Sequence, residues 1–350
     1  MKFKKVISFI VSILIIMSCF SVAASAADEA LSIDAGIEAL IGQFEYGQGP
    51  ETDDYAIDYR YYSPAENSNT SGYPLVIWLH GMGDGAYDGK QIETNNIVNW
   101  SSAEYQSRFS AGGAYIFAPR SLEEKGIFWS DGLIFPLRVA IDDFIANNNV
   151  DTSRIYIGGY SMGGKMTLKM AVAYPEMFAA AFPICPAWTP GEEATALISD
   201  IPVWLVSSAA DPLVNYFSGV MPVWKNIIAQ SSVADDCRFS TLSMASYADG
   251  TLAPSSHHSW YAVSNDMFSA ENGDFPRMKT VDGNGEKVEL VYPEGMISWL
   301  CGFSSDFDGT AAVDGGNSQA RADYSTGIME LIKIFLENFI EYILASIKMA

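Results

Sequence analysis

Apolar positions along the chain fall into two recurring patterns, short runs with strand character and longer stretches at helical spacing. Residues 56–62 (AIDYRYY) alternate as a half-buried strand does, whereas 75–79 is apolar throughout, the mark of a strand covered on both faces. Residues 112–118 (GGAYIFA) repeat that character, 133–146 carry apolar side chains at helical spacing, and 154–158 return to strand. A helix is expected over 162–173, stopped at Tyr174 because the residue before a proline, here Pro175, is pushed out of helical conformation. Residues 178–184 and 203–207 read as two further strands. Strands alternating with helices predict an α/β protein, a mostly parallel sheet with helices on both faces.

The two ends differ from this middle. Lys2, Lys4 and Lys5 precede an apolar run over 6–22 and the small residues Ala24-Ser25-Ala26, the three-part layout of a secretory signal over 1–26. The run is short and ends in small residues, which argues against a membrane anchor. Residues 304–326 are small, polar and glycine-rich and read as a linker. In 327–350, Glu330, Lys333, Glu337, Glu341 and Lys348 gather on one side at helical spacing, which predicts an amphipathic helix. Its charges argue against spanning a membrane, and their near balance is unlike a lipid-binding surface. Docking on the body of the chain or self-association is expected instead.

At 350 residues, 49% hydrophobic and 18% charged, the chain suits a sizeable folded core, here expected over 27–303. Net charge is -22, and removing a leader with three lysines and no acids makes it -25. Such acidity disfavours nucleic acid and anionic membrane as partners and suits an extracellular, soluble protein. Beyond the leader stand Cys185, Cys237 and Cys301, an odd number at irregular spacing that supplies no disulfide framework and no zinc-ribbon pattern.

Chemistry concentrates at Gly159-Tyr160-Ser161-Met162-Gly163. A serine hydroxyl needs exposure beside a base, and a sharp strand-to-helix turn flanked by glycines provides that exposure. Here RIYIG precedes and MGGKMTLKMAVAY follows, the context that makes the pentapeptide specific. Acyl transfer also needs two backbone N–H groups for the developing oxyanion. The residue after the serine and the loop after an early strand supply them, which points to Met162 and, in His80-Gly81-Met82-Gly83, to Met82. Of the chain's three histidines, His80 precedes the serine, against the order serine, acid, histidine that this turn accompanies. The base is therefore His257 or His258. The acid belongs at a strand end between serine and histidine, and Asp211, just past 203–207, fits. Asp200 lies at the wrong end of that strand, and Asp235 and Asp236 stand on a stretch without strand character.

These segments, together with YPLVIWLHGMGDG, IPVWLVSSAADPLV and HHSW, resemble secreted bacterial α/β-hydrolase esterases related to polyhydroxybutyrate depolymerases, feruloyl esterases and single-domain "predicted peptidases". The resemblance covers roughly residues 54–303. It implies the α/β-hydrolase fold. It also implies a base three residues before a tryptophan, which selects His257 with Trp260. No cofactor or metal is implied. The strand before the acid ends Ser207-Ser208 where relatives often carry His-Gly, and an additional segment over 265–293 follows the histidine motif, with a β-hairpin expected around Asp282-Gly283-Asn284-Gly285. That segment reads equally as part of the cleft wall or as a peripheral decoration, while Trp129 and Trp188 are candidates for substrate contact or core packing.

A serine esterase acting on small-molecule or polysaccharide-linked esters, including acetyl or feruloyl esters, is the expected activity. A peptidase of prolyl-oligopeptidase-like type uses the same groups, but 350 residues leave little room for the propeller that gates such enzymes. A surface binding module on a retired hydrolase fold is the alternative from another class, and the complete set of serine, acid and histidine argues against it.

Overall fold

The computed structural model describes residues 35–52, 55–65, 69–247, 251–270, 273–274 and 278–310. The expected leader over 1–26, the linker beyond 310 and the expected helix over 327–350 lie outside the described residues. The chain divides into an N-terminal unit, residues 1–39, and a main unit, residues 40–350. A short helix, α1 (Ala35–Ile41), crosses that division. Sheet and candidate site belong to the main unit.

Its strands are β1 (Glu45–Gln48), β2 (Asp58–Tyr62), β3 (Tyr73–Leu79), β4 (Tyr115–Pro119), β5 (Val150–Tyr160), β6 (Ala180–Ile184), β7 (Trp204–Ser208), β8 (Arg238–Leu242), the short pair β9 (Ser269–Ala270) and β10 (Gly273–Asp274), and β11 (Met278–Asp282). Nine of them form one sheet in the order β1-β2-β4-β3-β5-β6-β7-β8-β11. From β4 through β8 every pairing is parallel, and β1, β2 and β11 add antiparallel edges. The central strands β3, β4, β6 and β7 are buried at every position, which is why their sequences run apolar without alternation. The exposed edge strand β1 carries no such run and escapes pattern reading.

Helices α2 (Ile134–Asn147), α3 (Met162–Ala173), α4 (Met221–Gln230), α5 (Trp260–Ser264) and α6 (Met296–Leu300) connect or follow these strands. The helix expected over 162–173 has those bounds, with Tyr174 leaving helical conformation at φ -140° ahead of Pro175. Two boundaries differ from expectation. Asp235 and Asp236 stand in a 3-10 turn, without strand character as expected, but the chain enters β8 directly afterwards, a strand not marked by pattern because its RFSTL sequence mixes polar and apolar residues. The body also continues past residue 303. Phe307 is buried, and the Arg138 guanidinium lies 5.2 Å from its ring centroid while Nη2 donates to the Thr310 carbonyl at 2.9 Å. One aromatic anchor among small polar residues is enough to dock the start of the expected linker.

The additional segment after the histidine motif forms the expected hairpin and pairs β11 antiparallel to β8, from Met278 opposite Leu242 to Asp282 opposite Arg238. Its turn therefore sits at the N-terminal end of β8, where Gly283 N–H donates to the Ala234 carbonyl at 3.1 Å. Active residues of open α/β sheets gather at the opposite, C-terminal strand ends. The hairpin is a decoration that covers the edge of β8, and its tip takes no part in the cleft wall.

Candidate active site

Strand β5 ends at Tyr160, and Ser161 turns the chain into α3 with φ 57° and ψ -116°, a left-handed conformation that a non-glycine residue adopts only under constraint from its surroundings. Two backbone bonds fix the turn: Ser161 N–H donates to the Ile184 carbonyl at 2.9 Å, and Ala187 N–H donates to the Ser161 carbonyl at 3.1 Å. The flanking glycines are required by crowding against the end of β3. A Cβ on Gly159 would stand 2.3 Å from the Leu79 carbonyl oxygen, and one on Gly163 would stand 2.0 Å from it. Strand, turn and helix are thus pressed onto the start of the His80-Gly81-Met82-Gly83 loop.

That loop is held from two sides. Tyr160, the residue before Ser161, donates its hydroxyl to Asp84 inside the buried interior. Glu123 accepts the Gly83 N–H on both carboxylate oxygens, at 3.1 and 2.9 Å. Burial raises the Glu123 pKa despite the opposing hydrogen bonds from Gly83 and Gly85. Burial likewise pushes the Tyr160 phenol well above its ordinary value, and the neighbouring Asp84 adds to the shift. Met82 follows Gly81 and is 64% exposed, at the surface of the same loop. Met162 is buried as the first residue of α3.

His80 is enclosed completely. Its Nδ1 donates to the Gly81 carbonyl at 2.6 Å, its Nε2 accepts the Ser121 N–H at 3.0 Å, and burial lowers its pKa to about 4. It is a neutral structural imidazole. Trp129 shares this role, buried with its indole N–H donated to the His80 carbonyl at 3.1 Å, so it is core and not a substrate contact. Trp188 is half-buried with the Lys169 ammonium 4.9 Å from its ring centroid.

Asp211 follows β7 at a tight turn and is buried. Its Oδ1 accepts the Leu213 and Val214 N–H groups at 2.8 and 3.0 Å, leaving Oδ2 for the Nδ1–H of His257 at 2.8 Å. His257, not His258, meets the acid. His258 is half-buried with its ring 5.7 Å from that of Trp260. Burial alone would lower the His257 pKa, but Cys185 and the Asp211 carboxylate beside it outweigh that effect and hold it well above the ordinary imidazole value. Cys185 directly follows Ile184, the residue bonded to Ser161, and its Sγ lies 3.7 Å from the His257 carbonyl oxygen. The segment after β6 thus joins the serine turn to the histidine loop. By contrast, Asp200 is exposed and hydrogen-bonded to Ser232, before β7 begins.

Sequence reading did not single out Glu123, the Tyr160–Asp84 pair or the placement of Cys185. Nothing in their spacing marks them, since each acts across distant parts of the chain.

The sheet order and the serine turn at the end of its long central strand define the class: the chain has the α/β-hydrolase fold. A crystal structure of a thermostable esterase superposes with a TM-score of 0.54 and 26% sequence identity, over 65% of this chain and 61% of that one. Residues 136–247, which contain Ser161 and Asp211, match the family model described as Phospholipase/Carboxylesterase. Poly(3-hydroxyalkanoate) depolymerase C of Paucimonas lemoignei is 30% identical over 140 residues, 36% of this chain and 30% of the depolymerase. The provisionally assigned esterase NocK of Nocardia uniformis subsp. tsuyamanensis is 25% identical over 157 residues, 43% of this chain and 44% of its own length. The match therefore spans less than half of either curated relative.

Proposed function

We propose that the chain is an exported serine esterase that cleaves carboxylic esters through an acyl-enzyme on Ser161. The observation that carries this reading is the Asp211–His257 hydrogen bond of 2.8 Å, linked through Cys185 and Ile184 to the strained strand-to-helix turn of Ser161. In this scheme Asp211 fixes the His257 tautomer with its proton on Nδ1, leaving Nε2 to take the Ser161 proton. The serine oxygen attacks the ester carbonyl, and the N–H groups of Met82 and Met162 receive the oxyanion. His257 returns its proton to the leaving alcohol, and water then releases the acid by the same steps. Because its neighbours raise the His257 pKa, activity is expected to rise with pH as His257 gives up its proton.

Exposed Met82, on the loop after β3, and Phe217, in the helical turn Tyr216–Val220 that leads into α4, offer apolar contact to an acyl or aryl group, which suits acetyl or feruloyl esters carried on small molecules or polysaccharides. The leader over 1–26 would direct the enzyme out of the cell, and 327–350 would serve self-association or docking.

A fluorophosphonate probe tests the nucleophile. Labelling of the wild-type protein that disappears in Ser161→Ala is expected, and labelling that survives the substitution would overturn the scheme. Turnover of p-nitrophenyl acetate and methyl ferulate should exceed that of a peptide anilide; dominant anilide cleavage would make the enzyme a peptidase.

A further inference from the structure

The acyl-transfer scheme leaves one reactive side chain of the site unused. Cys185 is fully buried at the end of β6, in a left-handed backbone conformation with φ 34° that is uncommon for a residue with a side chain. Its N–H is anchored to the Val206 carbonyl at 2.8 Å, which fixes it between the strand before the acid and the loop of the base. Its Sγ, one ring nitrogen of His257 and one carboxylate oxygen of Asp211 all lie within 4.8 Å of one another. These three donors come from three separate parts of the chain and converge on one point.

Thiolate, imidazole and carboxylate form the mixed donor set that zinc-like cations take, whereas magnesium and calcium favour oxygen alone. Zinc bonds of about 2.0–2.3 Å place tetrahedral ligands roughly 3.3–3.8 Å apart. Closing the trio from at most 4.8 Å takes about an ångström of side-chain movement, within reach of rotamer adjustment.

We propose that Cys185, His257 and Asp211 form an inhibitory site for a borderline-soft divalent cation of the zinc type. On binding, the Cys185 thiol gives its proton to solvent and the thiolate bonds the cation. The lone pair of the His257 ring nitrogen makes a second bond, and an Asp211 oxygen makes a third. No electron is transferred. Neutral imidazole has one lone-pair nitrogen, so whichever nitrogen the cation takes, the other carries the proton and the base is lost. Inhibition of turnover rests on the reading of His257 as base; binding of the cation does not.

The test uses the full chain and two readouts. Cobalt(II) titrated into the wild-type protein should give a thiolate-to-metal absorption band that zinc displaces. Zinc at micromolar levels should suppress p-nitrophenyl acetate turnover, EDTA should restore it, and magnesium should have no effect. Cys185→Ala and the closer-sized Cys185→Ser should keep the fold by circular dichroism, and the zinc response of each is read relative to its own metal-free turnover. Both should lose the band and need about tenfold more zinc or higher for the same inhibition, as when a supporting group of a metal site is removed. If Cys185→Ala fails to fold, Cys185→Ser carries the comparison. A band that persists in the variants, equal zinc sensitivity, or no band in the wild type would overturn the proposal. Absence of turnover in metal-free wild-type protein would count against the esterase reading alone, since the cobalt band does not depend on it.

Discussion

The two carboxylate oxygens of Asp211 are divided between its own loop and His257: Oδ1 accepts two backbone N–H groups, and Oδ2 accepts the imidazole Nδ1–H at 2.8 Å. The loop bonds fix the direction in which the remaining oxygen points. Asp211→Asn keeps the size and much of the loop bonding but offers an amide where the imidazole needs an acceptor. Steady-state kinetics should show kcat lower by roughly 10³- to 10⁴-fold with the fold retained by circular dichroism. A loss below about tenfold would remove Asp211 from the scheme.

Adjacent histidines on this loop separate cleanly by substitution. His257→Ala should lower kcat by roughly 10⁴-fold or more, whereas His258→Ala, which leaves the Asp211 contact intact, should stay within about tenfold of wild type. The reverse ranking would move the base by one residue.

Glu123 holds the loop that carries Met82, the proposed oxyanion donor, through the Gly83 N–H. Removing its carboxylate in Glu123→Ala frees that peptide to rotate and should disorient the neighbouring Met82 N–H. Loss of an oxyanion donor outright costs about 10²- to 10³-fold in kcat, so a loosened donor should cost about tenfold, with KM little changed. Glu123→Gln, which keeps one acceptor oxygen, should recover part of the loss. A rise in KM with unchanged kcat would instead assign Glu123 to substrate binding.

His80 links stability to pH. Its folded pKa of about 4 lies below the ordinary 6.5, so between those values the unfolded chain binds the extra proton. Stability from keeping His80 neutral is fully present above pH 6.5 and is lost as pH falls toward 4, by up to about 3 kcal/mol. Urea unfolding at several pH values across this range should show that slope in wild type relative to a His80 variant, a comparison that cancels the opposite slope of buried Asp266, whose pKa burial raises to about 6. His80→Gln, which can still donate and accept, should flatten it, and an unchanged slope in the variant would place the titration elsewhere.

The central strands were legible because burial on both faces forces continuous apolar runs, and Ser161 was legible because its turn demands glycines on both sides within five residues. Asp211 and the histidine pair followed from chain order. The resemblance chose His257 over its neighbour, and His257 is the one of the pair hydrogen-bonded to Asp211. What escaped has a common physical cause. β8 mixes polar and apolar residues in RFSTL, and β1 is exposed at the edge of the sheet, so neither carries an apolar run. Glu123 and Cys185 matter through contacts that only the folded sheet creates, so no local pattern announces them.

The hairpin turn at Gly283–Gly285 has a practical consequence. It projects from the far end of the sheet, where β8 begins, while Ser161 and Asp211 follow strand ends on the other side. A linker to a solid support attached at Asn284 would leave the proposed site facing the bulk solution, open under the esterase reading even to ester groups on a chain too large to diffuse between bead and protein.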